Sequence, residues 1–447
     1  MRFGTDGVRG TVNGEITPEL FTALGRAAVR VLGGDRLVVG RDTRASGPLL
    51  AAALAAGAAA EGADVEDLGV VPTPAVAWAS AVDGVTGAVV SASHNPSTDN
   101  GLKLFGPGGA KLDDGHQGAI EAELAVLVSG GNPGGAPPAA VGRLAGRDRT
   151  EGYLASLLAG VGGGAGVDLR GLAVVLDCAH GAASVAAPEL FRRAGARVSV
   201  RNDAPDGHNI NVGCGSTDPR GLGEAVVAAG ADCGLAFDGD ADRVVAVDDR
   251  GRLVDGDEIL VLAALDRAER DALPDRTVVV TVMANLGLRE ALAGAGIRVV
   301  ETPVGDRHVL EALESGGWVL GGEQSGHVIF RDLATTGDGL LTGLSVCEVM
   351  VRRGLSLAAL AGAMTRRPQV LEVAHVDPRG LDEAGAVWRA VAEVEERLGD
   401  RGRVVVRASG TEPVVRVMVE AHALDVARQA CRDLCGALTR ALGPAGG

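Results

Sequence analysis

One pattern recurs three times along this chain: a valine-rich run, a stretch rich in glycine and alanine, and a second apolar run introduced by a glycine. It joins "RLVVGRD" to "EGADVEDL", "GLAVVLDC" to "AGARVSV", and "TVVVTVM" to "AGIRVVET". Short apolar runs that alternate with helical segments are typical of βαβ units, in which helices cover a largely parallel sheet. The three copies predict three similar α/β domains with mixed or parallel sheets.

The last part of the chain has a different pattern, which predicts a smaller α+β domain with a helix at 381–398, a strand–loop–strand unit and a final helix at 424–442. The chain has 447 residues, too many for one hydrophobic core. From the points where the pattern restarts, we expect four domains at 1–148, 149–252, 253–367 and 368–447. The glycine- and proline-rich segment 129–140 predicts a linker. In the first domain, Thr17 and Gly33 predict the two ends of a helix.

The composition of the chain limits which kinds of partner and which cellular compartment we expect for it. A net charge of −16 argues against nucleic acid and anionic membranes. The N-terminus has no apolar leader segment, and the alanine-rich run at 51–60 is too short to span a bilayer. The six cysteines contain no C-x-x-C pair, which indicates reduced thiols in the cytoplasm and argues against a zinc site. We therefore expect a cytoplasmic protein that acts on small molecules.

The first candidate site is a loop within "VVSASHNPSTDNGLKLF", residues 89–105. Ser93, His94 and Asn95 follow an apolar strand, and Lys103 comes ten residues after Ser93. No serine in the chain has the G-x-S-x-G context of an acyl-transfer nucleophile. Small polar residues on a proline-containing turn instead suit an exposed hydroxyl that handles phosphate, although a plain polar turn has the same composition.

The second candidate site is "LAFDGDADRVVAVDDRG", residues 235–251. Asp238, Asp240 and Asp242 alternate at the end of an apolar strand, so a turning loop can direct three hard oxygens at one Mg²⁺. A merely solvated acidic loop is the alternative. An EF-hand is excluded, because Arg243 stands at its glycine position and Asp249 at its glutamate position.

Two further loops are candidate sites, the first for recognising sugar hydroxyls and the second for binding phosphate. In "GGEQSGHVIF" the candidates are Glu323, Ser325 and His327, and a plain turn is the alternative. In "RASGTEPVVRVMVE" two hydroxyls, a glycine and two guanidiniums could bind phosphate, with a simple hairpin as the alternative. The residues of this second loop are Arg407, Ser409, Gly410, Thr411 and Arg416. The four loops on four successive domains predict a central cleft that holds a phosphorylated small molecule.

The motifs "SASHNP", "DGDADR", "GEQSGH" and "RASGTEP", in this order, resemble the phosphohexomutase superfamily over essentially the whole chain. "FGTDGVRG", "VGDR" and the glutamine of "GEQSGH" are most similar to its bacterial members that act on glucosamine phosphate. The resemblance implies four domains around one cleft and interconversion of glucosamine 6-phosphate and glucosamine 1-phosphate, a step toward cell-wall precursors. Glucose or mannose phosphate is the alternative substrate. Monomers and homodimers are both compatible with the sequence.

The resemblance also implies a role for each loop. Ser93 would be a phosphoserine, and its phosphate would hold one Mg²⁺ together with Asp238, Asp240 and Asp242. A sugar 1,6-bisphosphate would be the intermediate. Lys103, His94 and Arg9 would take part in catalysis. Substrate would contact Arg243, Glu323, Ser325, Arg407, Ser409, Gly410, Thr411 and Arg416. Ala408 departs from the family pattern, where lysine is common, and removes a possible phosphate contact.

Lys103 raises a separate question. Of 42 basic residues only Lys103 and Lys111 are lysines, so 42 − 2 = 40 are arginines. A lysine whose pKa is lowered by burial and nearby cations can exchange a proton, which arginine cannot, and the resemblance implies that Arg9 is such a cation. We therefore expect Lys103 to act as an acid and base, with a fixed counter-charge as the alternative.

Overall fold

Each of the three repeats forms a pair of parallel strands joined by a helix, as the pattern predicts. The structure is a computed structural model and describes residues 4, 7–130, 134–162, 166–409 and 414–443. Four sheets follow one another along the chain. The first three are mixed α/β sheets and the fourth is antiparallel, so the predicted fold class is confirmed.

The first sheet has the strand order β1-β5-β4-β2-β3-β6, with β1 and β5 antiparallel to their neighbours. Helix α1 begins and ends as predicted: the Thr17 hydroxyl accepts the Leu20 N–H at 3.3 Å, and Gly33 follows its last residue. The elements are β1 (Val8–Thr11), α1 (Pro18–Leu32), β2 (Arg36–Arg41), α2 (Gly47–Ala60), β3 (Asp64–Val70), α3 (Thr73–Asp83), β4 (Thr86–Val90), β5 (Asp99–Phe105), α4 (Asp114–Val128) and β6 (Leu144–Gly146).

The described part of the predicted linker, residues 129–130 and 134–140, is attached to the first domain at the end of α2. The Ala136 N–H donates to Ala60, and the Gly142 N–H donates to Ala59, both at 2.9 Å. Strand β6 then pairs with β3. Glycine and proline remove the apolar periodicity of a segment, but the remaining backbone groups can still pair with the body of a domain.

The second and third sheets repeat the same plan, in the orders β11-β10-β9-β7-β8 and β13-β12-β14-β15. The second domain contains α5 (Thr150–Val161), β7 (Ala173–Asp177), α6 (Ala183–Arg193), β8 (Arg197–Arg201), α7 (Arg220–Ala229), β9 (Cys233–Phe237), β10 (Val244–Asp248) and β11 (Leu253–Val254). The third contains α8 (Gly256–Glu269), β12 (Thr277–Thr281), α9 (Leu286–Gly294), β13 (Arg298–Thr302), α10 (Asp306–Gly316), β14 (Leu320–Gly322), β15 (Val328–Phe330), α11 (Gly339–Arg353) and α12 (Leu357–Ala361).

The fourth sheet has the order β16-β18-β17. Its elements are β16 (Gln369–Ala374), α13 (Gly385–Leu398), β17 (Arg403–Ala408), β18 (Val415–Glu420) and α14 (Leu424–Leu442). Helix α13 begins at Gly385 rather than at the predicted 381, since a short turn of 3₁₀ helix precedes it.

Hydrophobic packing joins the first three domains. One continuous cluster includes Val76 of α3, Leu154 of α5, Phe191 of α6 and Leu344 of α11. The fourth domain has a separate core beneath α13 and α14. No described helix has both the length and the apolar character needed to cross a membrane. The shared cluster places the first three sheets, and the loops at their edges, in a defined relation to one another.

Candidate active site

Three of the predicted loops occupy the same position in three successive sheets. Each follows a parallel strand and leads into an antiparallel one. The serine loop (91–98) joins β4 to β5, the aspartate loop (238–243) joins β9 to β10, and the sugar loop (323–327), named for its predicted ligand, joins β14 to β15. The carboxyl ends of parallel strands are where α/β proteins bind ligands. The repeated topology therefore presents three sets of polar side chains in equivalent places.

Ser93 is fully buried, and its hydroxyl donates a hydrogen bond to Asp238 Oδ2 at 2.6 Å. Its backbone is left-handed, with φ of +51°, and its N–H donates to the Ser91 hydroxyl at 2.9 Å. The expectation of an exposed hydroxyl is therefore wrong. The aspartate loop of the second domain covers Ser93, and that contact between distant segments is not visible in the local sequence.

Arg44 supports the serine loop through hydrogen bonds to its backbone. This residue was not identified from the sequence. Its buried guanidinium donates to the carbonyl oxygens of Ser93 at 2.9 Å and Asn95 at 2.8 Å. It also pairs with Asp42 at 2.8 Å, and Asp42 accepts the Ser91 hydroxyl at 2.6 Å. Because the chain has 40 arginines, residue type alone does not single out Arg44. Its position in "GRDTR", just after β2 and beside β4, could have pointed to it.

Gly239 allows the aspartate loop to approach the serine loop. A Cβ atom at this position would lie 2.5 Å from the Ser93 carbonyl oxygen and 3.0 Å from Asn211 Nδ2. Asn211 donates to that same carbonyl oxygen at 2.9 Å. The glycine between the first two aspartates is therefore required by the close contact of the two loops.

Asp238, Asp240 and Asp242 converge as predicted, with a carboxylate oxygen of each within 4.8 Å of the others. All three are buried. Burial, reinforced by the other two carboxylates, raises the pKa of Asp238 well above its usual value. Burial would also raise the pKa of Asp242, but the nearby Lys103 and His327 hold it well below its usual range.

The donor set fits a hard divalent cation. Asp240 Oδ1 and Asp242 Oδ1 are buried oxygens with no hydrogen-bond partner in the described part of the chain. Buried acceptors of this kind are rare unless a ligand satisfies them. Carboxylate oxygens are the ligands that Mg²⁺ prefers, and the three aspartates could hold such an ion.

Lys103 lies on β5 and reaches across to the aspartate loop. Its Nζ is 2.9 Å from Asp240 Oδ2 and 2.6 Å from Asp242 Oδ2, and its side chain is 3% exposed. The Thr73 hydroxyl donates to Asp240 Oδ2 at 2.6 Å. The first two domains thus share one buried charge cluster, in which the lysine contacts two carboxylates.

His94, Arg9 and Arg243 lie together beside this cluster. His94 Nδ1 accepts a hydrogen bond from Arg243 at 3.2 Å, and Arg9 donates to Asn95 Oδ1 at 3.3 Å. Burial, together with Arg243 and Arg9, lowers the pKa of His94 to about 4. The imidazole is therefore neutral at neutral pH, with Nδ1 occupied by a guanidinium.

The sugar loop is joined directly to the aspartate loop. The Val244 N–H donates to the Gly326 carbonyl at 3.1 Å, and His327 Nδ1 lies 3.8 Å from Asp242 Oδ2. Glu323 accepts the Gly305 N–H at 3.2 Å, and Ser325 is exposed. The serine, aspartate and sugar loops therefore form one connected site.

Asp306 of the "VGDR" segment extends this site on the side of the third domain. It pairs with Lys111 of the first domain and lies 3.3 Å from His327 Nε2. Both lysines of the chain thus bridge domains.

The fourth loop joins β17 to β18, where Arg407 stands directly opposite Arg416. Burial, together with Arg416, lowers the pKa of Arg407 below its usual value. Gly410 and Thr411 lie outside the described residues, and the Ser409 N–H donates to Val414 at 2.9 Å. Two opposed guanidiniums repel each other, and an anion between them would relieve that repulsion.

The sheet that carries the fourth loop is attached to the third domain by buried polar contacts. The Leu286 N–H donates to the Glu420 carboxylate at 3.1 Å, and Arg403 donates to the Val282 carbonyl at 2.8 Å. In the part of the chain that the structure describes, the contacts that join the first three loops do not reach Arg407 or Ser409. The structure therefore brings together three of the four loops by direct contact.

Four family models match the chain in order. They are described as the α/β/α domains I, II and III and the C-terminal domain of phosphoglucomutase/phosphomannomutase, and they match residues 1–127, 151–251, 255–367 and 370–436. Together they account for most of the chain.

Curated relatives match over nearly the full length. A protein named phosphoglucosamine mutase from Mycolicibacterium vanbaalenii is 52% identical over 436 residues, which is 96% of each chain. Its namesake from Frankia casuarinae is 52% identical and covers 99% of each chain. Among solved structures, a phosphoglucomutase/phosphomannomutase family protein from Burkholderia thailandensis superposes with a TM-score of 0.82 at 28% identity, covering 98% of this chain and 97% of the other.

Proposed function

Because this chain belongs to the phosphoglucomutase/phosphomannomutase family, we propose that it interconverts glucosamine 6-phosphate and glucosamine 1-phosphate. This is the reaction that the name of its curated relatives, phosphoglucosamine mutase, describes. An enzyme of this kind is an isomerase that moves a phosphoryl group within one sugar. The observation that carries the proposal is the contact between the Ser93 hydroxyl and Asp238, beside Lys103 and two further aspartates. A hydroxyl, three carboxylates that could hold a cation and a buried amine can supply the positioning and charge stabilisation that phosphoryl transfer requires.

We propose that Ser93 carries the phosphoryl group and that Asp238, Asp240 and Asp242, with the phosphate on Ser93, hold one Mg²⁺. When bound, Mg²⁺ neutralises charge that develops on the phosphoryl oxygens during transfer. Arg44 and Asn211 keep the serine backbone in place, so the hydroxyl oxygen has a defined position for in-line transfer.

Each half-reaction exchanges one P–O bond for another. The bond from phosphorus to Ser93 Oγ breaks, a bond to a sugar hydroxyl oxygen forms, and the proton of that hydroxyl finishes on Ser93 Oγ. We propose that Lys103 Nζ passes this proton, since it lies within the buried charge cluster beside Ser93. The product is a sugar 1,6-bisphosphate, which returns its other phosphoryl group to Ser93 by the reverse step.

The remaining residues bind substrate in this proposal. Glu323 and Ser325 hydrogen-bond sugar hydroxyls, and Arg243 contacts the substrate beside the transfer site. The phosphate that is not being transferred is bound by the residues that the sequence predicts for it, Arg407, Ser409, Gly410, Thr411 and Arg416. Two separate phosphate sites allow the bisphosphate to reverse its orientation between half-reactions.

Two other classes of protein would use part of the same site. A metal-dependent phosphatase would release inorganic phosphate and would not need a phosphorylated serine, and a silent sugar-phosphate-binding protein would show no turnover. A coupled assay that measures glucosamine 1-phosphate, glucose 6-phosphate and inorganic phosphate separates these activities. We expect glucosamine 1-phosphate to form fastest. Faster phosphate release would indicate the phosphatase, and a preference for glucose or mannose phosphate would reassign the substrate.

The location and assembly of the protein are part of the same proposal. All six cysteines are free and five of them are buried, which supports a cytoplasmic location. We propose sugar phosphates as its ligands, a monomeric or homodimeric chain, and the four domains bounded near residues 148, 252 and 367.

Replacement of Asp240 by asparagine should weaken Mg²⁺ binding and lower kcat about 100-fold, because the change removes one charge from the triad. The free energy of unfolding should change by less than about 1 kcal/mol, since losing one of three crowded carboxylates also relieves repulsion. Mg²⁺ titrations of activity and urea unfolding measure the two effects. The exposed Asp249→Asn is the matched control. A normal Mg²⁺ midpoint with a normal rate would rule out the metal role.

Replacement of Arg407 by alanine should raise KM for both sugar monophosphates roughly 10- to 100-fold, the range expected for a lost charge-assisted hydrogen bond. Release of free bisphosphate should also increase, because the phosphate left in the fourth loop is held less tightly. Initial rates in both directions and chromatography of the bisphosphate test this, with the exposed Arg401→Ala as control. If neither KM changes, residues 407–411 form only a hairpin.

A further inference from the structure

The fourth domain contains a second group of side chains that could hold a metal, remote in sequence from the aspartate triad. The Sγ atoms of Cys431 and Cys435 and a carboxylate oxygen of Glu372 all lie within 4.8 Å of one another. Cys431 is fully buried, and the other two residues are partly buried. The group is therefore closed by protein on one side and reachable from solvent on the other.

The secondary structure accounts for this convergence. Cys431 and Cys435 are four residues apart on α14, so their side chains lie on one face of the helix. Val370, Glu372 and Ala374 alternate along β16, and both Val370 and Ala374 pack into the core that α14 covers. Glu372 therefore directs a carboxylate into the helix-covered layer of the sheet. Both cysteine sulfurs lie close to it there, and the Cys431 thiol donates to the Val417 carbonyl at 3.4 Å.

A carboxylate in this position calls for an explanation. A carboxylate that is partly removed from water needs a cation or a hydrogen-bond donor to replace the lost hydration. The ion pairs found among the described residues do not include Glu372, whereas the two cysteine sulfurs lie close to it and the Cys435 thiol is its hydrogen-bond partner. The carboxylate has sulfur neighbours where a basic group would be expected.

A disulfide between the two cysteines does not fit this geometry. Residues four apart on a helix have Cβ atoms about 5–6 Å apart, whereas a disulfide requires about 3.5–4.5 Å. Bridging them would unwind a turn of α14 within its long helical span. Cys431 and Cys435 are therefore better placed to bind a common metal ion than to form a disulfide.

We propose that Cys431, Cys435 and Glu372 form a zinc site, with water in a fourth position. Two thiolates select a soft or borderline cation, and the carboxylate favours Zn²⁺ over Cu⁺. With Zn–S bonds of about 2.3 Å and Zn–O bonds of about 2.1 Å, a tetrahedral ion separates its ligand atoms by about 3.5–3.8 Å. Because the three atoms lie within 4.8 Å of one another, their separations need to shorten by at most about 1.3 Å. Zn²⁺ binding releases the thiol protons to solvent and ties α14 to β16.

In the sequence, the absence of a C-x-x-C pair argues against a zinc site. That argument covers sites in which closely spaced cysteines on a loop provide the ligands. Here the ligands are two cysteines four residues apart on a helix and a glutamate on a strand. The glutamate precedes Cys431 by 59 residues (431 − 372 = 59). Only the packing of α14 on the sheet brings the three residues together.

The test uses Co²⁺ as a spectroscopic probe on the full-length, fully reduced protein with saturating Mg²⁺ present. Thiolate ligation gives an intense near-ultraviolet charge-transfer band, which oxygen ligation at the aspartate triad does not. We expect one Co²⁺ per chain with this band, displaced by Zn²⁺. Cys435→Ser, at the partly exposed position, should abolish the band, and Glu372→Gln should weaken Co²⁺ binding at least about tenfold, the lower end for metal-site partners.

The matched control is Cys347→Ser. Cys347 belongs to another close thiol pair, with its Sγ 4.0 Å from that of Cys233, but that pair is buried and lies outside the metal-ligand groups found among the described residues. This variant should keep the band. In the unaltered chain, Zn²⁺ should also protect Cys435 from alkylation, measured by peptide mass mapping. No thiolate band, or a band that survives Cys435→Ser, would overturn the proposal.

Discussion

Replacement of Ser93 by alanine should abolish turnover while glucosamine 6-phosphate still binds. The change removes the only atom that we propose to carry the phosphoryl group, so no other residue can complete either half-reaction. The fold should be retained, because alanine has no β-branch to oppose the left-handed backbone at this position. Calorimetric titration with glucosamine 6-phosphate and a sensitive product assay measure the two effects separately.

The unaltered protein provides the companion measurement. As isolated, it should carry phosphate on part of its Ser93 side chains, which intact mass and peptide mapping detect. Ser97→Ala, in the same loop, is the matched control and should keep both the phosphate and the activity. Phosphate found only on another residue, or an active Ser93→Ala variant, would disprove the phosphoserine mechanism.

Replacement of Lys103 by arginine should lower kcat by about 10²–10⁴-fold, with KM changed little. Arginine preserves the positive charge between Asp240 and Asp242 but does not release a proton at any working pH. Its planar guanidinium must also fit where a buried ammonium now contacts two carboxylates. A fixed counter-charge would instead tolerate arginine within roughly tenfold.

Lys111→Arg is the matched control, because Lys111 is the other lysine of the chain and also pairs with an aspartate across domains. It should keep activity within roughly tenfold. Steady-state rates in both directions give kcat and KM for each variant. If kcat of Lys103→Arg is nearly unaltered, another group transfers the proton. His94 would then be the first residue to test by substitution.

The location of the candidate loops follows from the sequence to a large extent. Three valine-rich repeats predict parallel strand pairs, because apolar runs of that length are buried between helices. A polar loop directly after such a strand lies at its carboxyl end, so Ser93, Asp238 and Glu323 occupy equivalent positions in three sheets. The alternation of Asp238, Asp240 and Asp242 within one loop likewise predicts their convergence, and the structure agrees.

The contacts between those loops depend on the tertiary structure. Ser93 meets Asp238 across 145 residues, and Lys103 meets Asp242 across 139. Arg44, which supports the serine loop, is marked in the sequence only by its position in "GRDTR" after β2, and that position does not reveal which carbonyl groups it contacts. These pairings are set by the way three domains pack on one shared apolar cluster, which no spacing within a single loop encodes.

The sequence by itself therefore determined the classes of element and the residue types at the strand ends, since hydrophobic periodicity and turn chemistry act over a few residues. Tertiary packing alone decided that Ser93 is buried beneath a carboxylate and that Lys103 contacts two aspartates. It also decided that Glu372 faces two cysteines. Burial and charge pairing depend on which surfaces meet, and those surfaces come from segments far apart in the chain.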